Sequence, residues 1–283
     1  KLEHSLAHGK AHRRSQLVFF SLEVSSEYRR ISGLKQMLAR SVNHACEGFS
    51  MVYQPLVDQD HRVVCCEALL RWKADPDVGE MIRLLENTGE ILPVGRWIVR
   101  QVFAQARSWQ RKSPDFITGF NVSYLQFKDP GFADFLIAEA WRLEINPRQI
   151  AIELTESCQV EDFEGLAQEF ARLRAFGFNL SLDDFGIAYS TLLLIRNLPA
   201  DSVKIDQSFI RDLSEQNQVD LAIIESVVSL CCKLEIRLVA EGVENARILK
   251  LLKAYPITLY QGFYFARPMM ARQLEPLIGT ILP

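Results

Sequence analysis

From about Phe49 onward the chain alternates short strand-like runs with stretches of helical spacing, and this repeat restricts its fold more than any other feature. The strand candidates are SMVYQPLV, RVVCCEAL, ITGFNVS, QIAIELT, FNLSLDD, DSVKID, IRLVAEG and TLYQGF. Helical stretches at 94–112, 131–143, 161–176, 219–234 and 246–254 separate most of them. Helix-length connections imply mainly parallel strands, because a tight turn can only reverse the chain. About eight strands in roughly 230 residues predict an α/β fold of the (β/α)8-barrel type, with a doubly wound open sheet as the competitor. The first fifty residues differ. A basic, polar head and the run LVFF precede a predicted linker helix over 26–47, which carries Ile31, Leu34, Met37, Leu38 and Val42 at helical spacing. The expected division is therefore an N-terminal segment with its linker helix at 1–48 and a barrel domain at 49–283.

Bulk properties narrow the function. A net charge of -3 gives no general pull toward DNA or an anionic membrane. The longest apolar runs fall far short of a bilayer span, and no signal-peptide pattern opens the chain, so a cytoplasmic segment without direct membrane insertion is expected. Among the six cysteines no CxxC spacing occurs, and the adjacent pairs Cys65–Cys66 and Cys231–Cys232 read as reduced core residues. All five histidines, His4, His8, His12, His44 and His61, lie in the first quarter of the chain. The remainder has no imidazole for a Ser-His-Asp mechanism or a His-rich metal site. Chemistry here must run on carboxylates, amides and lysine.

Barrel enzymes place their chemistry at the C-terminal ends of the strands. Those ends carry Glu67, Asn121, Glu153 with Glu156, Asp183 with Asp184, Lys204, Glu241 with Glu244, and Gln261. Taken singly, such a carboxylate is often the N-cap of the next helix, and Lys204 with Asp206 could be a plain ion pair. Seven carboxylates at one barrel mouth exceed what capping explains, and one lysine cannot offset their repulsion. Divalent cations can. Ligation by oxygen alone suits Mg²⁺ or Mn²⁺ rather than zinc. Two adjacent aspartates can each serve a different ion, and such a pair clamps the attacking and leaving oxygens of a phosphodiester. Lys204 could accept a proton at a depressed pKa or simply stabilise charge.

The motifs CCEALLRW, YQPLV, FNVS, IELTES, LDDFG, VKID, VAEGVE and YQGFYFARP all occur from about Phe49 to the C-terminus. With them the chain resembles the EAL-domain phosphodiesterases, which hydrolyse cyclic di-GMP to linear pGpG. The resemblance implies a modified TIM barrel with one antiparallel strand, a homodimer, and two Mg²⁺ or Mn²⁺ ions per site. It makes Glu67, Asn121, Glu153 and Asp183 ligands of one metal, Asp184 the carboxylate of a second, and Glu241 a further metal-site carboxylate. It places Lys204 near the nucleophilic water, Gln261 where it helps to hold that water, and Gln54 and Arg71 on the substrate. Arg71 is suited to gripping a phosphate bidentately. Glu156 and Glu244 match supporting glutamates. The head GKAHRRSQLVFFS is similar to the last strand of GGDEF domains, so the chain is expected to follow a GGDEF or sensory region in a longer protein.

Two departures from the family pattern stand out. Ile187-Ala188-Tyr189-Ser190-Thr191 replaces the usual Thr-Gly followed by Tyr-Ser-Ser, and the segment after Trp72 is a few residues short. Neither deletes a ligand. A catalytically silent cyclic di-GMP sensor of the same fold is the alternative function. An enolase-like barrel using Lys204 as base would leave Asn121, Asp184 and Gln261 unexplained.

Overall fold

The connection between the first two strands sets the odd feature of this barrel. Asp58 Oδ1 accepts from the backbone N–H groups of Asp60 and Arg62, both at 2.9 Å, and His61 takes a left-handed φ of 62°. So short a turn reverses the chain, whereas every later strand is reached through helical segments.

The computed structural model of the chain describes residues 22–74, 77–155, 160–186, 191–214 and 216–283. Glu156, Ile187, Ala188 and the GGDEF-like head lie outside the described residues. The elements begin α1 (Leu22–Asn43), β1 (Phe49–Val57), β2 (Val63–Trp72), α2 (Val78–Thr88), α3 (Ile91–Gln110), β3 (Ile117–Ser123), α4 (Tyr124–Phe127), α5 (Phe132–Arg142) and β4 (Ile150–Thr155). They continue as α6 (Phe163–Phe176), β5 (Asn179–Phe185), α7 (Thr191–Asn197), β6 (Ser202–Ile205), α8 (Gln207–Ile210) and α9 (Gln218–Lys233). The last are β7 (Arg237–Ala240), α10 (Ala246–Leu252), β8 (Leu259–Tyr260) and α11 (Ala271–Leu274).

The strands close into a barrel in the order β1 to β8. Consecutive strands from β2 to β8 pair parallel, and β1 pairs antiparallel with β8 through Val57 and Tyr260. This is the modified TIM barrel, and the open sheet is excluded by closure. Side chains on a strand alternate between faces. One row is apolar and buried: Phe120 and Val122 in β3, Ile152 and Leu154 in β4, Leu180 and Leu182 in β5, Val203 and Ile205 in β6. It meets helical stripes such as Val99, Val102, Phe103 and Ala106 of α3, with the Phe103 and Phe120 rings 6.0 Å apart. The other row is polar toward the C-terminal strand ends, and there the candidate site lies.

Two compact units divide the chain: residues up to Phe49 with Trp72–Val94, and Ser50–Arg71 with Gly95–Pro283. In the smaller unit, Arg30 of α1 pairs with Glu80 of α2, and Trp72 Nε1 donates to Ser41 Oγ at 3.2 Å. Every described candidate site residue belongs to the larger unit.

Several helices differ from expectation. Helix α1 stops at Asn43 rather than 47, because Ala45 and Cys46 adopt φ values of 56° and 63°. Helix α2 was not expected. Asp77 caps its start by accepting from Glu80 N–H, and Gly89 closes its end at φ 77°. The single turns α4, α8 and α11 are too short for apolar periodicity to register. Cys232 is exposed on α9, whereas Cys65, Cys66 and Cys231 are buried.

Candidate functional site

Lys204, the inward residue of β6, is 1% exposed. A lone ammonium there would be strongly disfavoured, yet four carboxylates surround it. Its Nζ lies 2.6 Å from Glu241 Oε1, 2.8 Å from Glu153 Oε2, and 3.2 Å from both Glu67 Oε2 and Asp183 Oδ2. These residues come from strands spaced around the ring, so barrel closure is what assembles them. Asp206 is not among these partners. Its carboxylate accepts from Ser208 N–H at 2.7 Å and caps α8, which replaces the expectation of a plain Lys204–Asp206 ion pair. None of the other described strand-end candidates serves as a helix cap.

Amides extend the cluster. Asn121 Nδ2 donates to Glu67 Oε1 at 2.6 Å. Gln261 Nε2 donates to Glu67 Oε2 at 2.8 Å and to Gln54 Oε1 at 3.2 Å, while Gln54 Nε2 donates to the Ala266 carbonyl at 3.1 Å. The acceptor atoms Asn121 Oδ1 and Gln261 Oε1 are buried without a hydrogen-bond partner.

Asp183 and Asp184 pose a geometric problem. Strict alternation would send the second carboxylate into the apolar row beside Leu182. The ladder avoids this with a bulge: Leu182 pairs with Val203 and Phe185 with Ile205, so two aspartates together stand opposite Lys204. Asp184 takes φ 56°, a left-handed conformation that Asp tolerates better than most side chains. Its N–H donates to Asp183 Oδ1 at 2.9 Å. As a result, carboxylate oxygens of Asp183, Asp184 and Glu241 all lie within 4.8 Å of one another, as do those of Glu67, Glu153 and Asp183.

Burial shifts the titration of this group strongly. Desolvation, with neighbouring carboxylates, pushes Glu153 up to about 8 and Asp184 up to about 7, against the pull of Lys204. Desolvation also raises Asp183 and Glu241. Glu67 is the exception: although burial works to raise it, Lys204 and the donors Gln261 and Asn121 hold it below its ordinary value. Burial works against the Lys204 ammonium, but Asp183, Glu153, Glu241 and Glu67 outweigh it and keep the lysine protonated.

One cation cannot balance four carboxylates in a desolvated space. The donor set is oxygen only, and the free Asn121 Oδ1 adds a neutral hard ligand to it. These residues fit Mg²⁺ or Mn²⁺. Glu67, Asn121, Glu153 and Asp183 would hold one ion; Asp184 and Glu241 extend the donor set beyond it.

Other candidates stand apart. Arg71 is half-buried, and its Nη1 donates to the Leu70 carbonyl at 2.8 Å. Glu244 is exposed and pairs with Arg211 at 2.9 Å rather than joining the cluster. Gly119 of β3 was missed by sequence reasoning. A β-carbon there would collide with Glu153 Oε1, so the glycine makes room for that carboxylate. The signal was a glycine inside a strand, two residues before Asn121.

A family model described as EAL domain matches residues 36–268. Cyclic di-GMP phosphodiesterase PA2567 of Pseudomonas aeruginosa is 34% identical over 235 residues, 81% of this chain and 40% of that protein. Cyclic di-GMP phosphodiesterase PdeR of Escherichia coli is 32% identical over 270 residues, 93% of this chain and 40% of that protein. The chain thus spans about two fifths of the length of these curated relatives. The solved structure described as PaMucR Phosphodiesterase, c-di-GMP complex, is similar with a TM-score of 0.76 at 34% identity, over 84% of this chain and 99% of that one. On the extent of the family match and the identity of these relatives, the chain belongs to the EAL domain family.

Proposed function

We propose that this chain hydrolyses cyclic di-GMP to linear pGpG with two divalent cations. The observation that carries the reading is the buried Lys204 among four carboxylates, with Asn121 Oδ1 unpartnered beside them. Relatives named as cyclic di-GMP phosphodiesterases support the substrate. Glu67, Asn121, Glu153 and Asp183 would hold one ion, Asp184 would serve the other, and Glu241 would be a further metal-site carboxylate. Bound there, such ions supply Lewis acidity, making a water more acidic and drawing charge from the phosphodiester oxygens.

The chain's own groups do the rest. The Lys204 ammonium stabilises negative charge gathering on the phosphoryl group. Gln261, whose Nε2 is held by Glu67 and Gln54, offers its free Oε1 to a water O–H. Arg71 and Gln54 orient the substrate. Water oxygen bonds to phosphorus as the P–O3′ bond breaks, the 3′ oxygen takes up a proton, and a 5′-phosphate remains. Glu156 and Glu244 act as supporting residues in this reading.

Incubation with cyclic di-GMP and Mn²⁺ or Mg²⁺, followed by chromatography for pGpG, tests the proposal. Binding without product in either ion would favour the silent sensor, to which the departure at Ile187 and Ala188 would then point. Absence of binding overturns both. The same reading includes a cytoplasmic homodimer, a domain boundary near residue 49, and a GGDEF or sensory region upstream. Light scattering tests the dimer.

A further inference from the structure

Glu67 and Glu153 sit on regular ladder positions, whereas Asp183 and Asp184 lie in the bulge just before the last ladder pair of β5, and Glu241 lies just past the end of β7. Two glycines adjoin them: Gly186, two residues after Asp184, and Gly242, directly after Glu241. Both have left-handed φ values, 105° and 70°. Both are pressed by the same element. A β-carbon at Gly186 would stand 2.6 Å from Phe209 Cε2, and one at Gly242 would stand 2.5 Å from Gln207 Cβ and 3.0 Å from Gln207 Cα. Gln207 and Phe209 belong to the single turn α8, which starts three residues after Lys204.

A four-residue turn holds its shape only when its end is fixed from outside. Here Asp206, 5% exposed, accepts from Ser208 N–H, and Phe209 N–H donates to the Asp206 carbonyl at 3.2 Å. Backbone bonds tie in the neighbouring exit as well: Glu241 N–H donates to Ile205 O at 3.2 Å, and Val243 N–H to Gln261 O at 3.0 Å.

We propose that α8 is a brace: Phe209 over Gly186 and Gln207 against Gly242 are positioning residues that hold the Asp183–Asp184–Glu241 group in its geometry. The inference rests on the two-ion reading above for its functional consequence, but not for the brace itself. Neither residue touches the reacting atoms. They act by limiting the conformations open to the two strand exits. Among the described residues, no glycine beside Glu67 or Glu153 meets α8 in this way, and that group shares only Asp183 with the braced one.

Phe209→Ala uncovers Gly186, and Phe209→Leu restores part of the cover. In metal-free protein, hydrogen exchange at the Asp184 amide is expected to quicken by about tenfold or more in Phe209→Ala, with Phe209→Leu between it and the parent. The Ile152 amide, on the β3–β4 ladder, stays unchanged. Mn²⁺ titration by calorimetry then reads the consequence: the weaker ion loses about tenfold in affinity and the tighter ion keeps its own. Unchanged exchange at Asp184, or equal acceleration at Ile152, overturns the brace. A parent protein that binds one ion overturns the two-ion reading instead, and the exchange result still decides the brace.

Discussion

The two carboxylate groups at the barrel mouth share Asp183 but are held in different ways. Glu67, Glu153 and Asp183 are buried against Lys204, Glu67 and Glu153 at ordinary inward positions of β2 and β4, with two amides locking Glu67. Asp184 and Glu241 are half-buried: Asp184 depends on a bulge and a left-handed φ, and Glu241, although also paired with Lys204 at 2.6 Å, stands past the end of β7. A site on regular strands follows from alternation and closure alone, whereas a site on strand exits needs local irregularity to form. The largest test of that contrast is Lys204→Met. It leaves three buried carboxylates and the half-buried Glu241 without their cation, at an expected cost of about 3–5 kcal/mol. Chemical denaturation in chelator should show this loss, and Mn²⁺ should recover part of it; a variant as stable as the parent would mean the cluster is already neutral.

Glu67→Ala attacks the regular group without removing its cation. One ligand and the acceptor for Asn121 and Gln261 disappear, so turnover should fall by about a hundredfold to a thousandfold with the fold kept. Circular dichroism and the pGpG assay together check this, and a full rate would remove Glu67 from the site. The next effect belongs to the ions themselves. Mn²⁺ at about a hundred times its dissociation constant should stabilise the parent by about 2.7 kcal/mol. Glu67→Ala should lose most of that gain, seen as a smaller rise in melting temperature.

Sequence pattern was a good guide to the regular half and a poor guide to the other. Eight strand candidates fell on the eight strands, and Glu67, Asn121, Glu153 and Lys204 came together because inward positions recur every second residue. The turn at 58–62 was short enough to imply the reversal of β1, although only the family likeness led to that expectation. What alternation could not supply was the extra residue in LSLDDF, where a second carboxylate falls in the apolar row. That misfit is the visible trace of the bulge. The α8 turn has no periodic signal at all, and its role emerges only when Gly186 and Gly242 are found against it.

Gly119→Ala probes how closely the regular group is fitted. The added methyl would collide with Glu153 Oε1 while Lys204 holds Oε2 at 2.8 Å, so the carboxylate must turn or the strands must part. Overpacking of this kind costs about 1–2 kcal/mol. Thermal melting of the metal-free variant measures it. No change in melting would show that Glu153 can swing aside freely, and the contrast in rigidity between the two groups would weaken.

The smallest effect separates charge from backbone at Asp184. Asn shares the tolerance of Asp for positive φ, so Asp184→Asn removes the charge and leaves the bulge intact. It should weaken the second ion about tenfold with little change in metal-free stability. Val is β-branched and resists the left-handed region, so Asp184→Val should lose the same affinity and a further 1–2 kcal/mol, on the order of the cost of that conformation for an L-residue. Comparing the two variants in chelator cancels the charge and isolates φ. If Val and Asn unfold at the same denaturant concentration, the turn at Asp184 is not held left-handed, and the second group would owe its geometry to the ions rather than to the chain.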